Sequence, residues 1–113
     1  MGRIITVECA ACNLKDQLSL GAGRHDHRTH DRKPVACHDC GHVTAANAFQ
    51  PPLACQSCGS RHVTGFDIPL GAAAPGQALA LTWRDWCLPA GPHPCPRCES
   101  TALWFRGGGF FYD

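Results

Sequence analysis

Eight of the nine cysteines in this 113-residue chain stand in four Cys-x-x-Cys pairs: Cys9/Cys12, Cys37/Cys40, Cys55/Cys58 and Cys95/Cys98. Cys87 stands alone. A tight turn with this spacing aims two thiolates at one point, and a second turn completes a tetrahedron around a metal with each sulfur about 2.3 Å away. A disulfide framework has no need of i, i+3 pairs, and a disulfide inside Cys-x-x-Cys is characteristically catalytic rather than structural. Eight thiolates make two four-cysteine sites, so the expected cofactors are two Zn²⁺, with iron held by the same thiolates as the alternative. Free thiols in this number imply a reducing compartment. No apolar run of a secretory signal is visible near Met1, so the expected location is cytoplasmic.

Two groupings satisfy the spacing. In a nested arrangement Cys37, Cys40, Cys55 and Cys58 form one compact site, and Cys9, Cys12, Cys95 and Cys98 form a second that ties the two ends of the chain. In a tandem arrangement the first four and the last four paired cysteines each form a site, closing loops of 24 and 36 residues. Only 14 residues separate Cys40 from Cys55, and a short closure costs least entropy, which favours nesting. The strand–knuckle–strand rhythm of both halves favours tandem. Gly41 and Gly59 directly follow the central pairs, where a knuckle needs positive φ. Asn13 and Glu99 hold the same place in the outer pairs, and Glu99 suits it less.

The segment Cys37 to Ile68 runs Cys-x-x-Cys-Gly-His-Val and then Cys-x-x-Cys-Gly-Ser-Arg-His-Val. It resembles a zinc ribbon of the rubredoxin-like kind, and in particular the metal-binding half of the hydrogenase nickel-incorporation proteins. The resemblance covers about 32 residues. It implies a metal knuckle pair and leaves activity open, because such ribbons serve transcription, ribosomes, enzyme subunits and maturation factors alike. The chain departs from these families in two places. It lacks the N-terminal Met-His nickel motif, and Gln56 stands where rubredoxin's second knuckle usually carries Pro.

Other residues are candidates for supporting roles. Cys87 and His93 are candidate spare ligands near Cys95, with burial as a small apolar side chain the plainer reading for Cys87. His38, His42 and His62 lie beside knuckles and are candidates for hydrogen bonding to sulfur. The stretch Arg24–Lys33 holds His25, His27 and His30 and carries a net charge of +2; it reads as a solvated loop, a labile metal site or a phosphate contact. Seven of the nine aromatics lie from Trp83 onward. Trp83, Trp86, Trp104, Phe110, Phe111 and Tyr112 either build the core beside the outer site or offer a surface to a protein partner. Catalysis finds little support, since four-cysteine sites leave no open coordination position and no His-Glu-x-x-His, Walker or paired-carboxylate motif is present.

These ligands must be positioned by a thin framework. Leu, Ile, Val and Phe number 21, while 15 Ala and nine Cys supply much of the 44% hydrophobic content. Such a core needs staples. The net charge of only +1 argues against strong nonspecific nucleic-acid binding, and no apolar run is long enough to cross a membrane. The expected fold is small, metal-stapled and mostly β: two zinc ribbons of short antiparallel strands with long loops and little or no helix, in one unit.

Strands are expected at Ile4–Glu8, around Leu14–Leu20, and at His62–Ile68, Ala78–Trp83 and Thr101–Arg106, while Pro34–Ala36 leads into the second knuckle and Val43–Phe49 is a short segment stopped by Pro51-Pro52. Residues 69–77 and 89–94 read as turns. The central ribbon is placed at about 34–68, and the outer site at 5–20 with 78–106. Residues 107–113 read as a flexible aromatic tail after Gly107–Gly109. The functional expectation is a non-catalytic adaptor, maturation factor or accessory subunit of a larger protein complex. A nucleic-acid-binding ribbon and a rubredoxin-like electron carrier are the alternatives.

Overall fold

The run Ile4-Ile5-Thr6-Val7 is β-branched throughout and alternates in burial, with Ile5, Val7 and Cys9 inward. It is the centre of β1 (Gly2–Cys9), the first of ten strands in a computed structural model that describes residues 2–112, with the side chains of the last strand described through Gly107. β2 (Lys15–Leu20) folds back on β1 and sets Leu18 opposite Ile5. The chain returns at its far end as β10 (Thr101–Tyr112), which pairs antiparallel with the other edge of β1. Phe105 lies opposite Val7 and Leu103 opposite Cys9. With β9 (His93–Pro94) the first sheet has the order β2-β1-β10-β9.

A second sheet carries the central knuckles. β3 (Arg32–Cys37) lies between β4 (Val43–Asn47) and β5 (Val63–Gly65). The third sheet is built from β6 (Ile68–Pro69), β7 (Leu79–Trp83) and β8 (Trp86–Pro89), with β8 in the middle. A single 3₁₀ turn spans Leu70–Ala72, and no α-helix occurs among the described residues. The fold is thus small and mostly β, as the composition predicts, and it contains two clusters of four cysteines. Its core joins Ile5, Val7, Leu20, Trp86, Leu88, Leu103 and Phe105.

Four expectations need correction. His62–Ile68 is not one strand: the chain leaves the second sheet after Gly65 and enters the third at Ile68. Phe66, 8% exposed, is buried at the crossing against His93 and Phe105. Residues 86–94 hold two strands that were not expected. All four residues of β8 are buried, so no alternation marks it, and Pro89 ends it. Residues 78–89, expected with the outer site, form the β7–β8 hairpin of the third sheet.

The fourth correction concerns Gly107–Gly109, which is no break in the chain. β10 continues to Tyr112, with a register shift that pairs Ile5 with Gly107 and Ile4 with Phe110. The extra residues are accommodated as a bulge, where glycine fits. The side chains of Phe110, Phe111 and Tyr112 lie outside the described residues.

Candidate metal centres

Each knuckle is a local turn with a common hydrogen-bond signature. The N–H of the first cysteine donates to the carbonyl five residues on: Cys9 to Leu14, Cys37 to His42, Cys55 to Ser60 and Cys95 to Ser100, at 2.8–3.0 Å. In three knuckles the residue after the second cysteine donates back to the first cysteine's carbonyl: Gly41, Gly59 and Glu99. These three have φ of 74°, 77° and 64°. The first knuckle keeps only the longer bond, and Asn13 stays outside the left-handed region. Glycine at the central pairs is therefore explained by backbone geometry, while Glu99 occupies a conformation costing a side-chain-bearing residue roughly 1–2 kcal/mol.

The sheets assemble the four knuckles in the nested manner. β1 ends at Cys9 and pairs with the start of β10, which brings the first knuckle against the last. Cys9 and Cys98 thiols lie 3.6 Å apart, and Cys12 and Cys95 3.8 Å. β3 ends at Cys37, and its pairing with β5 draws the third knuckle to the second. Cys37 and Cys58 lie 3.6 Å apart, as do Cys40 and Cys55. Within each group all four sulfurs fall within 4.8 Å of one another.

A tetrahedron of sulfurs about 2.3 Å from a common centre has edges of about 3.8 Å, so both groups fit one tetrahedral ion each. A sulfur–sulfur bond would need about 2.05 Å, and all nine cysteines are free thiols.

The polar surroundings favour thiolate. Backbone N–H groups of Ala11, Cys40 and Ser57 point at the sulfurs of Cys9, Cys37 and Cys55 at 3.4, 3.5 and 3.3 Å. The His42 Nδ1 lies 3.2 Å from the Cys40 sulfur. The Ser100 backbone N–H holds the Cys98 thiol down at about 7, with help from the Cys9 and Cys95 thiols. Burial opposes ionisation of Cys55, but the N–H groups of Cys58 and Ser57 outweigh it and draw the thiol to about 6. Cys12 and Cys40 are pushed up to about 12: the Leu14 and His42 backbones each favour the thiolate, yet burial and the neighbouring thiols prevail. Without a cation, each group keeps some of its protons at neutral pH. A divalent ion relieves that crowding of charge.

No family model matches the chain, and neither a curated protein nor a solved structure matches it.

The remaining candidates are dispersed. Cys87 is fully buried in β8 opposite Ile68 and Thr82 and belongs to neither four-sulfur group. His93 is no ligand in either group. Its Nε2 lies 2.7 Å from the Pro89 carbonyl, and its ring packs edge-on against Phe66 and Phe105.

Among the three knuckle histidines only His42 approaches a sulfur. His38 meets the Thr64 hydroxyl at 2.6 Å, and His62 lies 3.5 Å from Asp39, which also accepts from the Ser60 hydroxyl. These contacts join the second and third knuckles.

The His-rich stretch is organised by Asp26, which accepts from the Gly23 N–H at 2.6 Å and from Arg32 at 2.5 Å. Both contacts hold its carboxyl below the ordinary range, Arg32 foremost. The stretch gathers no three metal-ligating atoms among the described residues.

The aromatic candidates divide. Trp104 is 36% exposed. Trp83 is half-buried, with its ring over Gly21. Trp86 takes the core alternative: it is 2% exposed and donates its indole N–H to the buried Asp31 at 3.2 Å. Asp31 was not foreseen as a buried residue. Its sequence neighbours are charged, and nothing local distinguishes it from a solvated loop carboxylate.

Proposed function

We propose that the chain is a non-catalytic, metal-stapled accessory module, cytoplasmic in location, in which two Zn²⁺ ions hold a rigid surface for a larger protein complex. The observation that carries this reading is the fit of two closed four-sulfur groups to tetrahedra, one at the chain's ends and one at its centre. The central group, with Gly41 and Gly59 in the left-handed conformation, is in keeping with the ribbon resemblance of Cys37–Ile68. A four-thiolate site offers no open position for substrate, so its contribution is to folding. A thiolate-rich site also needs a reducing compartment to persist. No helix among the described residues is long and apolar enough to cross a membrane.

Native mass spectrometry with elemental analysis and an absorption spectrum tests the metal half. Two zinc ions per chain and a colourless solution are expected. A red chain carrying iron would replace the reading with an electron carrier. Affinity purification from the source cell tests the partner half, with a defined stoichiometric protein complex expected. Salt-sensitive binding to DNA or RNA in its place would overturn it.

A further inference from the structure

We propose that the cleft between β5 and β9 receives an extended segment of the partner protein, added as a strand to the open edge of β5, with a Lys or Arg of that segment paired to Glu99. The inference rests on the accessory-module reading and says where the partner binds and by what chemistry.

The cleft has a volume of about 710 Å³ and lies between the two metal centres. Phe66 and Cys95, both buried, form its floor, and Ile68 and Pro94 line its sides. β5 pairs only with β3, so its other edge is open among the described residues. The register identifies what that edge offers. His38 donates to the His62 carbonyl and Phe66 to the Pro34 carbonyl, with Thr64 opposite Ala36 between them. Residues alternate in an antiparallel pair, so Gly65 and Val63 turn their backbone groups away from β3. The Val63 N–H is used locally by the Arg61 carbonyl. The Gly65 N–H and carbonyl and the Val63 carbonyl are left to pair with an incoming strand. Gly65 is exposed and carries no side chain to hold that strand off. On the opposite wall Pro89, Pro94 and Pro96 lack N–H groups, so they donate nothing to the free carbonyls of Val63 and Gly65.

Charge selects the occupant. Asp67 is paired with Lys33 at 3.3 Å, His38 with Thr64, and His93 with the Pro89 carbonyl. Glu99 has no side-chain partner among the described residues and sits at φ 64°, where the two central knuckles use glycine. A strained residue with an uncommitted charge at the rim of a cleft points to function. A carboxylate there attracts a basic side chain and repels a phosphate backbone, so an extended peptide fits better than a nucleic acid.

The test pans random peptides displayed on phage against the zinc-loaded chain. Recovered sequences are synthesised and titrated by fluorescence polarisation and amide NMR. Peptides with alternating apolar residues and a Lys or Arg are expected, shifting the Gly65 amide. Glu99→Lys is expected to weaken them about fivefold or more. Gly65→Pro, which deletes the N–H offered to the incoming strand, is expected to weaken peptide binding about fivefold or more. Metal content and circular dichroism are measured on every variant, so a misfolded protein is recognised. Glu99→Gly, which relieves backbone strain, gives a second variant that keeps the fold and loses affinity.

Failure to recover peptides, equal binding by the variants, or shifts confined to another face would overturn the groove. So would displacement by a single-stranded oligonucleotide, or self-association of the chain through this cleft. In each of these cases two bound zinc ions and a purified complex would leave the accessory-module reading standing. Loss of the metal stoichiometry would instead sink that reading.

Discussion

The Cys9 thiol lies 3.6 Å from that of Cys98, 89 positions away in the sequence. The outer four-sulfur group therefore closes almost the whole chain, and the central group closes a short loop inside it. A structural zinc contributes about 10–16 kcal/mol of apparent binding free energy in small domains, against about 5–15 kcal/mol for the stability of a whole domain. Cys98→Ser, or a strong chelator, is expected to unfold the chain cooperatively at room temperature, read by loss of amide NMR dispersion. A chelated chain that keeps sharp, dispersed peaks would refute the scaffold role.

Acid should release the metal. The ligating form of each cysteine is the thiolate, whose proton affinity falls once metal is bound; stability from metal is present at high pH and lost as pH falls. Before binding, Cys12 and Cys40 hold their protons up to about 12, so they are protonated at pH 7. Zinc binding at pH 7 is expected to expel protons, measured by calorimetry in two buffers of different ionisation enthalpy. Equal heats in both buffers would contradict this.

The knuckle glycines give a cleaner test of backbone strain. A Cβ at Gly59 would meet nothing within 4 Å, so any cost of Gly59→Ala comes from φ of 77° alone. That cost is expected at about 1 kcal/mol. Glu99→Gly is the reverse experiment and is expected to stabilise by about 0.5–1 kcal/mol, because relief of strain exceeds the added chain entropy. Thermal melts of the zinc-loaded variants at fixed metal concentration measure both. A stabilising Gly59→Ala would refute the strain at φ 77°, and a destabilising Glu99→Gly would show that the Glu99 side chain holds the fold together.

Removal of the Asp31 carboxylate should be felt in the core. Asp31 is 6% exposed and accepts from the Trp86 indole, itself 2% exposed. Asp31→Ala strands that N–H and is expected to cost about 1–3 kcal/mol. Asp31→Asn keeps an acceptor and is expected to cost less. Urea titration monitored by tryptophan fluorescence distinguishes them, and equal losses would assign the effect to charge rather than to the hydrogen bond.

Much of this protein was legible before any coordinates. The ligands were legible because four Cys-x-x-Cys pairs admit few other uses, and β1 was legible because Ile4 to Val7 are all β-branched. β8 was not, because burial on both faces removes the alternation that marks a strand. Trp86 read as readily as a surface anchor as a core residue, and Asp31 read as a solvated loop charge; the buried hydrogen bond that joins them links positions 55 apart, which no local pattern marks.

What the sequence determined by itself is local. The turn at each knuckle is set by residues within five positions of its first cysteine, so spacing and the glycines at 41 and 59 suffice to specify it. Which knuckles share a site was decided only by tertiary structure. That choice depends on β1 pairing with β10 and β3 with β5, and each pairing joins segments whose attraction is a shared buried face rather than a pattern in either segment. The same closure set His93 against Phe66 and Phe105, left β5 with an open edge, and placed Glu99 beside it. Local chemistry names the ligands, and long-range packing chooses their partners, because loop closure over 89 residues is stabilised only by contacts that the folded sheets create.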